Sequence, residues 1–228
     1  MCTSIVSNRA KTIVGWNLDI LDMEYRVRPT QQGVYIEILD AEEGWMPLFG
    51  GNSRGDFVAM PTCWPADSRS EPRDGSLNIL RLDIDLLLQN KTFDRIRQDT
   101  ATHPVCSVPG LTFQSQLSDA QGNVLQIVPG QGCRYLERPR YAVMTNFSPF
   151  KMDAELHPWM GWDRYLLARK LLAAAADSFD SGDCFEILKA TAQQVCPTVV
   201  SMVCDVTDRR IFWCEKQDWA HIETLSFT

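Results

Sequence analysis

The feature that most constrains the fold is a series of short apolar segments with strand character, separated by polar turns, at the start of the chain. Thr3–Val6 and Thr12–Asp19 flank the polar turn SNRAK and predict a β-hairpin. Tyr25–Arg28, Val34–Leu39 and Trp45–Phe49 follow with the same character. Because short strands joined by tight turns pair in opposite directions, we expect antiparallel sheets.

Helical and strand patterns alternate along the rest of the chain. The predicted helices are Leu77–Gln89, Thr92–Thr100, Asp163–Phe179 and Asp183–Cys196. The predicted strands are Phe57–Trp64, Thr112–Leu117, Val124–Val128, Tyr141–Thr145, Thr198–Asp205, Ile211–Glu215 and Ile222–Phe227, and GGNSRGD at 50–56 is predicted to be a loop. No repeat or linker interrupts this order, which predicts one α+β domain over residues 1–228 with antiparallel sheets covered by helices.

Composition excludes several classes of function. The net charge of −7 offers no basic stripe for nucleic acid, and the longest apolar runs, at 171–176 and 86–88, are far too short to span a bilayer. No basic and apolar export segments precede Cys2, so we expect a cytoplasmic protein whose eight cysteines stay reduced. The cysteines form no CxxC pair and the three histidines are scattered, which argues against zinc.

A cysteine directly follows the initiator methionine, and two interpretations of it are open. In one, Cys2 begins a strand and packs as a small hydrophobic residue. In the other, Met1 is removed, which a small side chain at position 2 permits, and Cys2 then has a thiol and a free α-amine. Their pKa values, roughly 8.5 and 7.7–8.0, are close enough for proton exchange near neutral pH. If Met1 stays, the Cys2 nitrogen is an amide and cannot act as a base.

Four stretches, in order, resemble the N-terminal nucleophile (Ntn) amidases of the choloylglycine hydrolase and penicillin V acylase family. They are MCTSIV at the start, GWNLD at 15–19, GGNSRGDFVAMPTCWP at 50–65 and VMTNFSPF at 143–150. MCTSIV also resembles the processed start of acid ceramidase and N-acylethanolamine acid amidase, and GWDRYLLARKLLAAAAD at 161–177 is similar to the family helix that holds an arginine. The resemblance implies a four-layer αββα sandwich, a Cys2 nucleophile that attacks linear amide bonds, and no metal or organic cofactor.

The resemblance also implies roles for four further residues. Asp19 would orient the amine or thiol of Cys2, and Arg164 would stabilise the thiolate and orient Asp19. Asn146, and after it Asn52, would donate a hydrogen bond to the oxyanion. From the residues alone, Asp19 can equally be a turn residue at a strand end, both asparagines can be turn residues, and Arg164 can be a surface arginine paired with its neighbouring aspartate.

One position departs from the family pattern, because Trp16 stands where Gly-Arg-Asn-x-Asp has its arginine. An indole N–H donates one hydrogen bond but supplies no charge. Trp16 therefore either lines an apolar acyl pocket or indicates that the reaction has been lost, while Asn17 beside it keeps the family type. Trp64, Trp159 and Trp162 are the other candidate substrate-binding residues, against the alternative that they belong to the core.

Several hypotheses of function follow. The first is a hydrolase that cleaves a linear N-acyl amide through a thioester at Cys2. The second is an acyltransferase that passes the same acyl group to an amine, and the third is a binding protein that keeps the fold without the reaction; an unrelated α+β protein is the fourth. The expected partner is a small-molecule N-acyl amide whose identity no motif specifies, and the resemblance implies a homotetramer.

Overall fold

The computed structural model describes residues 1–152 and 157–227 of the 228-residue chain. Within them the strands are β1 (Cys2–Asn8), β2 (Thr12–Asp19), β3 (Tyr25–Pro29), β4 (Gly33–Asp40), β5 (Gly44–Asn52), β6 (Phe57–Ala59), β7 (Leu77–Asn78), β8 (Val105–Cys106), β9 (Ser115–Ser118), β10 (Val124–Val128), β11 (Gly132–Leu136), β12 (Tyr141–Met144), β13 (Thr198–Asp205), β14 (Arg210–Glu215) and β15 (Glu223–Ser226). The helices are α1 (Ile79–Leu87), α2 (Phe93–Thr102), α3 (Trp162–Ala174) and α4 (Ser181–Ala190).

Two large antiparallel sheets account for most of these strands. One sheet has the order β12-β1-β2-β13-β14-β15, and the other has the order β11-β10-β9-β6-β5-β4-β3. The predicted first hairpin is confirmed: β1 pairs with β2 from Cys2 opposite Leu18 to Asn8 opposite Thr12. This register places β1 in the interior of its sheet, between β12 and β2, with the first residue of β1 beside the last residues of β2.

Both faces of the first sheet are buried at its interior strands β1 and β2, since all residues of these two strands are buried. One face contributes Val6, Trp16 and Leu18 to the core between the two sheets. The opposite face contributes Ile5 and Ile13 to a core beneath α3 and α4, because successive side chains of a strand point to opposite faces. The outer face of the second sheet packs against α1 and α2 in the same way. The result is the predicted four-layer αββα sandwich, and the α+β fold class is confirmed.

Close packing of α4 on β2 explains the glycine of GWNLD. A Cβ atom at Gly15 would lie 2.6 Å from Sγ of Cys184 in α4 and 2.9 Å from Ile5 in β1. Any larger residue would push the helix off the sheet, so this glycine serves packing and not a turn.

Several predicted boundaries were wrong. The helix predicted to reach Phe179 ends at Ala174, because Ala175 is extended and Asp180 starts α4 with a capping box. The helix predicted to reach Cys196 ends at Ala190, and Gly50–Asn52, predicted as loop, continue β5 because they pair with β4. The predicted strand Phe57–Trp64 ends at Ala59, and β11 was not predicted.

The eight cysteines all lie in the described part of the chain and are free thiols. Six are buried, and Cys133 and Cys196 are half-buried, so the prediction of mostly buried cysteines is confirmed. Within residues 1–152 and 157–227, no helix is long and apolar enough to cross a membrane. The predicted domain 1–228 includes residues 153–156 and 228, which lie outside the described residues.

Candidate active site

Cys2 is the first residue of β1 and lies at the edge of the sandwich, where three other segments contact it. Cys2 is 4% exposed, and its Sγ lies 4.0 Å from the carbonyl oxygen of Asp19 at the end of β2. Asn146 approaches from the residues that follow β12, and Arg164 from the first turn of α3. The structure therefore brings four of the five predicted catalytic residues together.

Asn146 contacts the backbone nitrogen that would become the amine of a processed Cys2. Its Oδ1 accepts a hydrogen bond from that nitrogen at 2.7 Å and a second from Arg164 Nη2 at 2.9 Å. Its Nδ2 donates to the carbonyl oxygen of Thr62 at 2.8 Å. An amide nitrogen has two hydrogens, so one hydrogen orients the side chain and the second is available to another acceptor.

Arg164 is buried, at 5% exposure, although a cation in the first turn of a helix opposes the helix dipole. Its Nη1 donates to the carbonyl oxygen of Cys2 and to Oγ1 of Thr3 at 2.8 Å, and lies 3.8 Å from Oδ2 of Asp19. Arg164 is therefore a component of the cluster around Cys2, and the alternative of a surface arginine paired with Asp163 is wrong.

A left-handed glycine allows Arg164 to take this position. Gly161 caps the start of α3 with φ of 80°. A Cβ atom there would lie 2.5 Å from Nη2 of Arg164 and 2.9 Å from Cβ of Thr145. Both the backbone conformation and the contact with the guanidinium thus require glycine.

Asp19 is 1% exposed and receives two side-chain hydrogen bonds. Thr198 Oγ1 donates to its Oδ1 at 2.6 Å, and Gln193 Nε2 donates to its Oδ2. Burial raises the pKa of Asp19 to about 6, while Thr198, Arg164 and Gln193 each act to lower it. The carboxyl group thus changes charge close to neutral pH.

The thiol and the amino group at the chain start show opposite effects of burial. Burial raises the pKa of Cys2 to about 11, against the lowering effect of the nearby amino terminus. Burial acts to lower the pKa of the Met1 amino group, but Cys2, Asp19 and Cys196 outweigh it and raise that pKa. The Met1 nitrogen donates to the carbonyl oxygen of Asp19 at 2.7 Å and lies 3.6 Å from Sγ of Cys196. With Met1 in place, the thiol is thus buried and protonated.

Asn52 is the predicted site residue that the structure does not bring to Cys2. Its Oδ1 accepts from the backbone nitrogens of Arg54 and Asp56 at 2.9 and 3.1 Å. Its Nδ2 donates to Asp56 Oδ2 at 3.1 Å and to the carbonyl oxygen of Leu86 in α1 at 2.9 Å. These bonds close the β5–β6 turn and attach it to α1, which is the turn role that sequence reasoning left open as the alternative.

Asn17 and Trp16 were also candidates for substrate binding, but both side chains are buried in the structure. Asn17 lies on the helix-facing side of β2, where its Nδ2 donates to the carbonyl oxygen of Leu188 in α4 and its Oδ1 accepts from Ser201. Trp16 is fully buried between the sheets, with its ring 5.6 Å from that of Phe49. Its Nε1 is buried and has no hydrogen-bond acceptor among the described residues.

The three other tryptophans that were predicted to bind substrate lie around Asn146. The backbone nitrogen of Trp64 donates to the Asn146 carbonyl oxygen at 2.7 Å, and the Trp64 and Trp159 rings are 6.3 Å apart. Trp159 is 55% exposed. Trp162 packs edge-on against Phe147, the residue after Asn146, at 5.5 Å. An aromatic surface thus adjoins the cluster on the side of Asn146.

Sequence reasoning missed several residues that touch this cluster. Thr3, Gln193 and Thr198 contact Arg164 or Asp19 directly, and Gln114 Nε2 donates to the carbonyl oxygens of Thr145 and Phe147, on either side of Asn146. Thr3 lies within the quoted MCTSIV stretch and was the one available signal. The others come from distant segments that only the fold brings near.

Comparison with solved structures supports this arrangement of layers, whereas no family model and no curated protein matches the sequence. A mutant of the conjugated bile acid hydrolase from Clostridium perfringens is similar at a TM-score of 0.68 and 13% identity, over 99% of this chain and 92% of that chain. The chain has the Ntn-hydrolase fold.

Two further structures share the Ntn fold. The Caenorhabditis elegans ortholog of N-acylethanolamine-hydrolyzing acid amidase gives a TM-score of 0.61 at 17% identity, over 90% of this chain and 93% of that chain. Penicillin V acylase from Agrobacterium tumefaciens gives a TM-score of 0.64 at 15% identity, over 94% of this chain and 83% of that chain. Coverage of this extent means that the similarity includes both sheets and the helices on either side of them.

Proposed function

We propose that this protein hydrolyses a linear N-acyl amide through a thioester at Cys2, after removal of Met1. The observation that supports this most strongly is the pair of contacts made by Asn146 and Arg164 on the two ends of Cys2. Asn146 accepts from its nitrogen, Arg164 donates to its carbonyl oxygen, and the two side chains are hydrogen-bonded to each other. A cysteine that only begins a strand needs no such pair of buried polar side chains.

The reaction uses both functional groups of a processed Cys2. The α-amine takes the thiol proton, and Sγ attacks the carbonyl carbon of the amide to form a tetrahedral oxyanion. The second hydrogen on Nδ2 of Asn146 stabilises that oxyanion. The protonated amine then gives its proton to the leaving nitrogen as the carbon–nitrogen bond breaks, which leaves a thioester that water hydrolyses by the reverse sequence.

Removal of Met1 changes the electrostatics of the site. It puts a basic nitrogen directly on Cys2, where Oδ1 of Asn146 already accepts a hydrogen bond at 2.7 Å. It also takes away the residue that precedes the thiol, whose pKa is raised by burial in the unprocessed chain. Arg164 and the ionised Asp19, 3.8 Å apart, then face the amine and the thiol with opposite charges.

Similarity of fold supports the class of reaction. The similar structures are, by their names, a conjugated bile acid hydrolase, an N-acylethanolamine-hydrolyzing acid amidase ortholog and a penicillin V acylase. These names indicate that the three proteins act on amide bonds, in substrates with different acyl groups and amines. A small-molecule N-acyl amide as substrate, a cytoplasmic location and a homotetramer accordingly stay predictions for this chain.

A binding protein without the reaction is the second candidate, and Trp16 is the observation that favours it. Trp16 provides no charge beside Cys2, and its buried indole N–H is unpaired within the described residues. Under this alternative the cluster around Cys2 would stabilise the fold and no thioester would form.

The intact mass of the purified protein tests the proposal. We expect loss of one methionine, followed by one stoichiometric acyl adduct after addition of a β-lactone or an N-acyl amide. Cys2→Ala should abolish the adduct. Cys196→Ala is the matched control and should retain it, since Cys196 is a half-buried thiol near the same amino group.

Either of two results would reject the hydrolase. They are retention of Met1 in the purified protein, or a processed chain that no acyl donor modifies, and both favour the binding protein. Addition of a competing amine separates hydrolysis from acyl transfer, because a transferase forms a new amide with that amine while a hydrolase releases the free acid.

A further inference from the structure

The segment that runs from the end of α4 to Thr198, the first residue of β13, contacts the Asp19 carboxylate from one side. Two of its residues donate to different oxygens, Gln193 to Oδ2 and Thr198 to Oδ1. Both donors come from a part of the chain more than 170 residues away from Asp19 in sequence. A carboxylate that receives a donor on each oxygen is restricted to one orientation.

The two donors are also held to each other. The backbone nitrogen of Gln193 donates to Oγ1 of Thr198 at 2.9 Å, and the backbone nitrogen of Thr198 donates to the carbonyl oxygen of Gln193 at 3.1 Å. The same carbonyl oxygen accepts from Nε2 of Gln217 at 2.9 Å. Since Gln217 lies in the turn after β14, the segment is connected to the C-terminal strands as well as to Asp19.

Three charged or titratable groups face Asp19 from the other elements. Arg164 of α3 lies 3.8 Å from Oδ2, the Met1 amino group lies 2.7 Å from the Asp19 carbonyl oxygen, and the Cys2 thiol lies 4.0 Å from that same oxygen. Burial opposes the charge on Asp19 and raises its pKa, whereas Thr198, Arg164, Gln193 and the amino terminus favour the charge. Two of these four groups that favour the charge are uncharged donors from one segment.

We propose that Gln193 and Thr198 are positioning residues that hold Asp19 as an oriented carboxylate beside Cys2. They touch no reacting atom and act through Asp19 alone. The assignment rests on the proposed function for the role of Asp19 in the reaction, but the orientation and charge of that side chain are measurable without turnover.

Carbon-13 NMR of the aspartate carboxyl groups against pH tests this proposal, with the Asp19 resonance identified by its loss in Asp19→Asn. We expect Gln193→Met and Thr198→Val, which remove one donor each at similar volume, to raise the pKa of Asp19 by about one to two units. Thr198→Ser keeps the hydroxyl and should restore the wild-type value. Gln131→Met is the matched control, because it removes a glutamine donor from a different carboxylate, that of Asp67.

The rate of Cys2 acylation against pH gives a second readout, whose acidic limb should move upward with the Asp19 titration. An Asp19 pKa that stays unchanged in both Gln193→Met and Thr198→Val, with only lower stability, overturns the positioning role. If the titration moves as expected but wild-type protein forms no acyl adduct, the positioning role stands and the proposed function fails. The two failures are thereby distinguishable.

Discussion

Two buried asparagines occupy different environments although both lie at strand ends, Asn52 as the last residue of β5 and Asn146 shortly after β12. Each is essentially inaccessible to solvent and each uses both ends of its amide. Most of the hydrogen bonds of Asn52 stay within four residues of it, apart from one to α1. Asn146 instead connects segments that are distant in sequence, through Cys2, Thr62 and Arg164.

The difference shows that burial alone does not identify a functional residue. An asparagine that hydrogen-bonds its own turn stabilises a local conformation. An asparagine that joins three distant segments fixes their relative positions, and one of those positions here is the nitrogen of Cys2. The cluster around Asn146 and the turn around Asn52 should therefore respond differently to substitution.

The largest expected effect separates the two asparagines by activity. Asn146→Ala should lower the rate of Cys2 acylation by roughly 10²–10³, as expected for loss of an oxyanion donor that also orients the nucleophile. Asn52→Ala should leave that rate within about twofold and reduce the free energy of unfolding by roughly 1–3 kcal/mol, because it unpairs buried groups of the turn. Acylation kinetics and urea denaturation of both variants measure this.

If Asn52→Ala instead slowed acylation of Cys2 without lowering the free energy of unfolding, Asn52 would belong to the active site. Equal losses of activity in both variants would mean that acylation reports the integrity of the fold and not the chemistry of Asn146.

The sequence predicted the layers of the fold more completely than it predicted the site. Alternating strands and long amphipathic segments follow from local residue patterns, so β2 and β13 were predicted to the residue and β1 to within two residues at each end. The resemblance also named Asp19, Asn146 and Arg164. Gln193 and Thr198 have no local pattern, since their contacts with Asp19 exist only because β13 pairs with β2.

The position of Asn52 could not be predicted, for a different reason. Its surroundings, GGNSRGD, match a turn and a ligand loop equally well, and the two differ only in what the turn faces. The structure shows that it faces α1, which no pattern within the loop specifies.

The second prediction concerns a buried carboxyl group in each region. Burial raises the pKa of both Asp19 and Asp56 to about 6, and Asp56 is bonded to Asn52. The folded chain therefore holds these protons at higher pH than the unfolded chain, so stability is lost as pH rises from about 4 to about 6. Replacing either residue by Asn removes this loss, and each variant should gain about 2 kcal/mol relative to wild type between pH 4.5 and pH 7.5.

Urea denaturation at the two pH values measures the gain, and the difference from wild type isolates one carboxyl group from the others. Only Asp19→Asn should also slow acylation of Cys2. A gain for Asp56→Asn accompanied by slow acylation would contradict the assignment of the turn around Asn52 to stability alone.

The third prediction uses one glycine in each region. Gly161 has φ of 80° and Gly55 has φ of 90°, so alanine at either position costs roughly 1–2 kcal/mol of stability. The added Cβ at Gly161 would also lie 2.5 Å from Arg164 Nη2, whereas at Gly55 it would meet Ala120 at 3.1 Å. We expect Gly161→Ala to slow acylation about tenfold through displacement of the guanidinium, an effect of about 1.4 kcal/mol, and Gly55→Ala to leave the rate unchanged.

Thermal denaturation measures the stability cost of each alanine, and acylation kinetics measure the effect on the site. Equal acylation rates for the two variants would show that Arg164 tolerates displacement.

The smallest expected effect concerns Trp16, which lies in the core between the two regions and packs on Phe49 of β5. Trp16→Phe removes a buried N–H that has no acceptor in the described chain, and the cost of leaving such a group unpaired, about 1–3 kcal/mol, offsets the loss of packed volume. Stability should therefore change by less than about 1 kcal/mol, and acylation should be unaffected if Trp16 only fills the core. A drop in acylation at unchanged stability would instead show that the indole N–H binds the substrate once Met1 is removed. Trp16 would then be a specificity residue.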